Sequence, residues 1–327
     1  MNPVLEVRDL QTSFATHAGT VKAVDGVSFS LAAGEIIGLV GESGSGKSVT
    51  GFSLLGLIEA PGRIVGGSVR LKGEELVGMP ARALRQRRGR DMAMIFQDPI
   101  ATLNPLLTIG TQMEMALAAH EKLSTRAMRA RCAEALAQVG IPSPRDRLSA
   151  YPHQFSGGMR QRVAIAIALL HRPAVIIADE PTTALDVSIQ AQIVSQMKHL
   201  AREFGVGLIW ISHDLAVVSA IASRILVMYA GRLVEQGPTA SVLHDPRHPY
   251  TRGLLDSLPS STRPGSRLRQ IPGGMPSLLD LPASCAFLAR CDHASTACQA
   301  PVPMEHTGDR AWRCRHPLGP LAERRAS

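Results

Sequence analysis

The chain has 327 residues, 45% hydrophobic and 4% aromatic, with a net charge of +8, which is length enough for a real core and suggests two domains. No apolar run approaches the roughly 20 residues of a membrane-crossing helix, and Met1-Asn2-Pro3 does not open a secretory signal, so a cytosolic protein is expected. The basic residues are scattered or form short clusters (Arg82, Arg85, Arg87, Arg88, Arg90) without interleaved aromatics, which argues against a nucleic-acid partner.

In chain order, short β-like runs come first: Val4 to Val7, then Ala23-Val24 to Leu31, read as a small antiparallel layer. Phe14 is an aromatic in a polar stretch, and the pattern alone favours core packing for it. Glu35 to Val40 reads as a buried parallel strand leading into Gly41-Glu42-Ser43-Gly44-Ser45-Gly46-Lys47-Ser48, and Val49 to Ile58 reads as a helix. Strand, glycine-rich turn, Lys-Ser and helix form a phosphate cradle. Its glycines let backbone N–H groups converge on phosphate oxygens, Lys47 reaches the β/γ-phosphates, and the Ser48 hydroxyl suits Mg²⁺.

Residues 68–73 and 91–96 read as strands, the second followed at once by Gln97. From about Leu103 to Arg172 the pattern is helical. Ser124-Thr125 caps a helix that runs to Val139 and is stopped by Gly140-Ile141-Pro142; another follows Ser156-Gly157-Gly158, with Met159, Val163, Ile167 and Leu170 on one face. Such a block inserted between strands is a subdomain, about 98–172. Ala174 to Ala178 is a continuous apolar run ending in Asp179-Glu180-Pro181, a buried parallel strand at whose carboxyl end chemistry gathers. A helix over 187–204, a strand over Gly207 to Ser212 ending in His213, and a hairpin of Ile225–Tyr229 with Arg232–Glu235 through Ala230-Gly231 complete the core. Beyond Leu258 the composition turns to Pro, Gly and Ser. Cys285, Cys291, Cys298 and Cys314 follow, whereas Cys132 stands alone in a helix as inert core.

The cradle, Gln97, Ser156 to Met159, Asp179-Glu180, Ala184-Leu185-Asp186 and His213, in this order, resemble the ATP-binding subunits of ABC transporters from Leu5 to about Pro317. A P-loop kinase or GTPase would share the cradle but not Ser156 to Met159 or His213. The resemblance implies an α/β P-loop ATPase core with an antiparallel β-subdomain, an inserted helical subdomain and a small irregular Cys-rich extension, divided as residues 1–258 and 259–327. Gly41 to Ser48 resembles the Walker A motif, with Val49 beside it, and Val175 to Asp179 the Walker B motif. By the same resemblance Glu180 is the catalytic glutamate, His213 the switch histidine and Gln97 the Q-loop glutamine, with Ser48, Gln97 and Asp179 serving Mg²⁺. Ser156, Gly157, Gly158 and Met159 match the signature motif that faces ATP held by a second subunit, and Ala184, Leu185 and Asp186 the D-loop. Phe14 lies where the family places its adenine-stacking aromatic. The signature departs from the usual Leu-Ser-Gly-Gly-Gln at Phe155 and Met159.

Ile95 to Pro99, Leu103-Asn104-Pro105, Tyr151 to Gln154 and His248-Pro249-Tyr250-Thr251 resemble more narrowly the dipeptide/oligopeptide importer branch, which also includes nickel importers. That resemblance implies a peripheral protein on the cytoplasmic face of the inner membrane. Its partners would be two transmembrane permease subunits, a related ATPase in a heterodimer and an external binding protein. A soluble ABC ATPase with a redox-regulatory tail is the alternative of a different class. Four thiolates admit zinc, an iron–sulfur cluster or free thiols; members of the branch with this C-terminal pattern imply a [4Fe–4S] cluster.

Overall fold

The structure, a computed structural model, describes residues 3–98, 102–183, 185–258, 270–279 and 281–319. They fall into two units: Met1–Leu5, Leu31–Ile36 and Gly78–Ile211 form one, and Glu6–Ser30, Ile37–Val77 and Ser212–Ser327 the other. The expected boundary at 258/259 runs into residues outside the described set, as do Pro259 and Pro264.

The second unit holds the phosphate-loop strand and two sheet regions. β1 (Leu5–Thr16) and β2 (Gly19–Leu31) are sheet neighbours joined by two residues, which makes them an antiparallel hairpin. Both are much longer than the runs read from sequence, because each mixes buried apolar residues with exposed polar ones and has an exposed end at the hairpin. β4 (Gly62–Leu71) and the short β5 (Glu74–Glu75) extend this sheet in the order β2–β1–β4–β5. In the other region β3 (Ile36–Val40), buried throughout, runs parallel to β9 (Arg224–Tyr229), with Leu39 opposite Leu226. β9 turns back through Ala230 (φ 47°) and Gly231 (φ 81°) into β10 (Arg232–Pro238), the left-handed pair that a two-residue hairpin turn needs. The extension beyond 258 is not wholly irregular. β12 (Arg310–Trp312) pairs antiparallel with β10, Glu235 opposite Trp312, and β11 (Glu305–Thr307) pairs with β12.

The first unit contains β6 (Met92–Ile95), β7 (Val175–Asp179) and β8 (Gly207–Ser212), all parallel. Every residue of β7 and β8 is buried, as continuous apolar runs in a parallel sheet require. Between β6 and β7 lies the helical block: α3 (Ile109–Ala118), α4 (Thr125–Gln138), the single-turn α5 (Pro144–Arg147) and α6 (Gly157–Leu169); α1 and α2 are Lys47–Leu54 and Ala81–Arg87. Ser124 caps α4 as expected, its hydroxyl accepting from Ala127 N–H at 3.3 Å. Glu121 joins the block's ends by accepting from Arg131 (2.6 Å) and pairing with His171 (2.8 Å). The single apolar face expected of α6 is not what packs. Met159 and Ile167 are only half-buried, while Gln161, Val163, Ile165, Ala166 and Ala168 are inside, because neighbours cover the helix on more than one side. Cys132 is fully buried in α4, and burial pushes its thiol up to about 11, the inert thiol anticipated. α7 (Val187–Phe204) ends at Gly205 in the left-handed conformation, the usual helix stop.

Candidate active site

In the second unit, the turn Gly41 to Ser48 joins β3 to α1. Two of its glycines are obligatory. A Cβ on Gly41 (φ 155°) would lie 2.2 Å from Met228 O, and one on Gly46 (φ 104°) 2.2 Å from Ala23 O. α1 begins at Lys47 and ends at Leu54, earlier than the pattern suggested, because Leu55 caps it and Gly56 turns left-handed at φ 59°. Lys47 is buried, and its Nζ donates to Gly41 O (2.8 Å) and Glu42 O (2.9 Å). Its ammonium is thus held over the entry of the loop. Ser43 and Gly44 are exposed at the loop's crest, Ser45 is buried, and Ser48 and Val49 are half-buried. Ser45 O accepts from Gly231 N–H at 2.9 Å, which ties the crest to the β9–β10 turn.

Glu42 is held at both ends. Its backbone N–H donates to the Tyr250 hydroxyl (2.8 Å), and its carboxylate accepts two bonds from Arg290 (2.8 and 3.0 Å). Tyr250 is itself fixed by a buried polar chain. The carboxylate of Glu235, fully buried, accepts from the N–H groups of Arg247 (2.8 Å) and His248 (2.9 Å), and burial pushes its pKa up against the pull of those donors. His248 Nδ1 then accepts from Tyr250 N–H at 3.0 Å, capping α9 (Pro249–Asp256). The motif His248-Pro249-Tyr250-Thr251, read from sequence only as a branch marker, therefore supports the phosphate loop. Neither Tyr250 nor Glu235, both fully buried, was signalled in this role by the local sequence.

Desolvation pushes His248 down from the ordinary 6.5 to about 3, which keeps it a neutral acceptor. As pH falls through 6.5 the unfolded chain takes up a proton that the folded one refuses, so stability drains from there toward pH 3 and is unaffected well above 6.5. His248→Asn, which keeps an acceptor but cannot titrate, should flatten the fall in Tm between about pH 7 and about pH 5. Equal slopes in the two proteins would remove this role.

Also in the second unit, Phe14 is half-buried on β1. Its ring edge covers Gly62, where a Cβ would meet Cε1 at 2.4 Å. His213 is exposed immediately after β8, and the next residue, Asp214, caps α8 (Leu215–Ile221) by accepting from Ala216 N–H at 2.8 Å.

The first unit carries the carboxylates. Asp179 is the buried last residue of β7. Glu180 follows with φ 46°, and its N–H donates to Ile211 O at 3.0 Å. This left-handed step, uncommon for a non-glycine residue, turns the Glu180 side chain away from the strand. Its Oε2 accepts from Gln97 Nε2 (3.3 Å) and Thr183 Oγ1 (3.0 Å). Sequence reasoning singled out Gln97 and Glu180, and the structure brings them together; Thr183 was missed, although its spacing of three residues from Glu180 was a usable signal.

Ser156 caps α6, accepting from Met159 N–H at 3.4 Å. Gly157 and Gly158 pack against the start of α7: a Cβ on Gly158 would lie 2.6 Å from Ile189 Cγ2, and one on Gly157 3.6 Å from Leu185. Signature and D-loop candidates are thereby neighbours. Asp186 is exposed at the N-cap of α7, and Ala184 lies outside the described residues. Phe155, the first departure from the usual signature, is buried with the Arg147 guanidinium 5.7 Å from its ring centroid, so it acts as packing.

Cys285, Cys291, Cys298 and Cys314 are all free and line one cavity of about 10 Å³, space for about one water. The donor chemistry suits a soft metal or cluster. Their placement does not meet that expectation: among the described residues no three His, Cys, Asp or Glu side chains form a group that could hold a metal ion. Burial raises the Cys285 and Cys291 thiols and pushes Cys314 up to about 12.

Among the described residues no helix is long and apolar enough to cross a membrane. Residues 24–183 match the family described as ABC transporter, and residues 234–298 the oligopeptide/dipeptide transporter C-terminal region. The oligopeptide transport ATP-binding protein OppD of Salmonella typhimurium is 48% identical over 304 residues, 93% of this chain and 90% of that protein. The dipeptide transport ATP-binding protein DppD of Haemophilus influenzae is 46% identical over 316 residues, 96% of each chain. Among solved structures, the ATP-binding cassette MJ0796, in a dimeric post-hydrolysis state bound to ADP and Pi, matches with a TM-score of 0.65 and 26% identity over 72% of this chain and 98% of that one. Similarity at this level along nearly its whole length means that the chain belongs to the ABC transporter family of ATPases, in the branch that carries the oligopeptide/dipeptide C-terminal region.

Proposed function

We propose that the chain hydrolyses ATP to drive import of di- and oligopeptides. The observation that carries the peptide branch is that the matched C-terminal region, residues 234–298, includes Tyr250 and Arg290, which hold Glu42 of the phosphate loop. In this reading Gly41 to Ser48 and Val49 bind the triphosphate and Phe14 stacks on adenine. Lys47 offsets charge that develops on the phosphoryl oxygens. Mg²⁺, when bound, supplies further charge neutralisation, with Ser48, Gln97 and Asp179 as its holders.

Glu180 acts as the base toward the attacking water. Gln97 and Thr183 donate to one of its oxygens, which fixes the carboxylate's direction. His213 senses the γ-phosphate. Ser156, Gly157, Gly158 and Met159 serve nucleotide held by a second subunit, with Leu185 and Asp186 beside them and Ala184 completing the D-loop. ATP thereby favours a closed pair of subunits and hydrolysis releases it. MJ0796 was solved as a dimer with ADP and Pi, which supports this arrangement.

The partners in this proposal are two transmembrane permease subunits, a related ATPase forming a heterodimer, and an external peptide-binding protein. The chain is peripheral on the cytoplasmic face of the membrane. A [4Fe–4S] cluster on Cys285, Cys291, Cys298 and Cys314 is the finer part of the proposal; it rests on the donor type of four thiols around one cavity and requires their side chains to rearrange from the placement described, and no step of hydrolysis runs through it.

Anaerobic purification from membranes tests the whole reading. The chain should bring two membrane subunits and a sister ATPase, hydrolyse ATP faster when peptide-loaded binding protein is added, and contain iron with acid-labile sulfide. Stimulation by nickel-loaded rather than peptide-loaded binding protein would overturn the substrate class. An iron-free complex would overturn the cluster alone.

A further inference from the structure

We propose that Arg290 is a positioning residue of the nucleotide site, through which the cysteine-bearing turn of the C-terminal segment sets the phosphate loop. The proposal rests on the reading of Gly41 to Ser48 as the triphosphate site.

Arg290 ends a short 3₁₀ turn, Leu288–Arg290, between Cys285 and Cys291. That turn is closed locally: Leu288 N–H donates to Cys285 O (3.1 Å) and Arg290 N–H to Phe287 O (3.0 Å), while Cys285 N–H reaches Cys298 O (3.0 Å). The Arg290 side chain is 6% exposed, and all five donors of its guanidinium have acceptors. Nε donates to Pro272 O (2.7 Å); Nη1 donates to Glu42 Oε2 (2.8 Å) and the Tyr229 hydroxyl (3.3 Å); Nη2 donates to Glu42 Oε1 (3.0 Å) and Ile271 O (3.3 Å). The rings of Tyr229 and Phe287 flank it, with centroids 5.8 and 5.9 Å away. A two-pronged pair between a planar guanidinium and a carboxylate fixes direction as well as distance.

The consequence for the loop is electrostatic. Glu42 lies next to the exposed crest Ser43-Gly44, where a triphosphate would be received. Paired with Arg290, its carboxylate is held by a cation and its charge offset. Unpaired, it would be a negative charge beside an anionic ligand, on a side chain that is 29% exposed and so only partly screened by solvent. The bond from Glu42 N–H to Tyr250 would hold the backbone but leave this charge in place. Arg290 therefore keeps a carboxylate inside a phosphate loop from opposing phosphate.

The test measures ATP binding and steady-state hydrolysis by the full membrane complex. Arg290→Met should raise the KM for ATP about tenfold with kcat changed less than about twofold. Adding Glu42→Gln to Arg290→Met should return KM to within about threefold of wild type, because the opposing charge is gone. Arg290→Lys, which keeps the charge but not the fork, should fall between. A merely structural role predicts no rescue: a double variant as impaired as Arg290→Met, or an Arg290→Met protein with wild-type KM, would overturn the proposal. Should Arg290→Met fail to fold, the Arg290→Lys protein with and without Glu42→Gln decides the same question. Lys47→Ala separates the underlying reading, since unaltered ATP binding by that variant would overturn the assignment of the loop itself.

Discussion

Glu180→Gln is expected to lower ATP turnover by about three orders of magnitude while leaving ATP binding intact, the range lost with a positioned general base. The side chain keeps its shape and its contacts: the amide oxygen still accepts from Gln97 and Thr183, which now reach Oε2 at 3.3 and 3.0 Å. What is lost is the negative charge able to draw a proton from water. Because binding is assigned to the glycine loop and Lys47, the two readouts should separate. Nucleotide affinity measured by equilibrium binding should stay within about threefold of wild type, while single-turnover hydrolysis collapses. A variant complex that hydrolyses ATP at the normal rate would show that another group activates the water. Thr183→Val is the gentler companion, since it removes one of two donors that orient the carboxylate and leaves its charge.

Gly46→Ala is expected to abolish nucleotide binding and to destabilise the fold by about 3 kcal/mol or more. Two costs act together at this position. Its φ of 104° lies in the region that side chains avoid, and the new Cβ would sit 2.2 Å from Ala23 O, backbone that cannot rotate away. Gly46 is also the N-cap of α1, so any relief moves Lys47 and the first helical N–H groups out of the loop. Gly78→Ala separates the two costs. That glycine has φ 78° with nothing within 4 Å of its would-be Cβ, so it bears the dihedral cost alone, about 1 kcal/mol. Equal losses of Tm in the two variants would mean that the close approach to Ala23 contributes nothing.

The position of Glu42 shows how far local pattern carries. The glycine spacing around Lys47 is a local signal, since a turn of that composition after a buried strand has few alternatives, and it announced the phosphate loop without reference to the rest of the chain. The apolar runs that became β7 and β8 were equally legible, because strands buried on both faces admit only apolar side chains. The order of the polar motifs was enough to carry the family resemblance. Element lengths were less legible. β1 and β2 extend well beyond the apolar runs because many of their residues are exposed and polar and read as turns, and of the short strands β12 pairs onto β10 and β11 onto β12.

By itself, then, the sequence determined the loop, the carboxylate strand and the family, all of which depend on residues close together in the chain or on their order. Only the tertiary structure decided that Gln97 and Thr183 share one oxygen of Glu180 and that the four C-terminal cysteines line one cavity. It alone revealed that Tyr250 and Arg290 hold the residue at the entrance of the phosphate loop. Those contacts join positions 83, 208 and 248 residues apart. No periodicity or motif encodes such partners: they are chosen by which buried donors and acceptors are left to satisfy one another once the chain has closed.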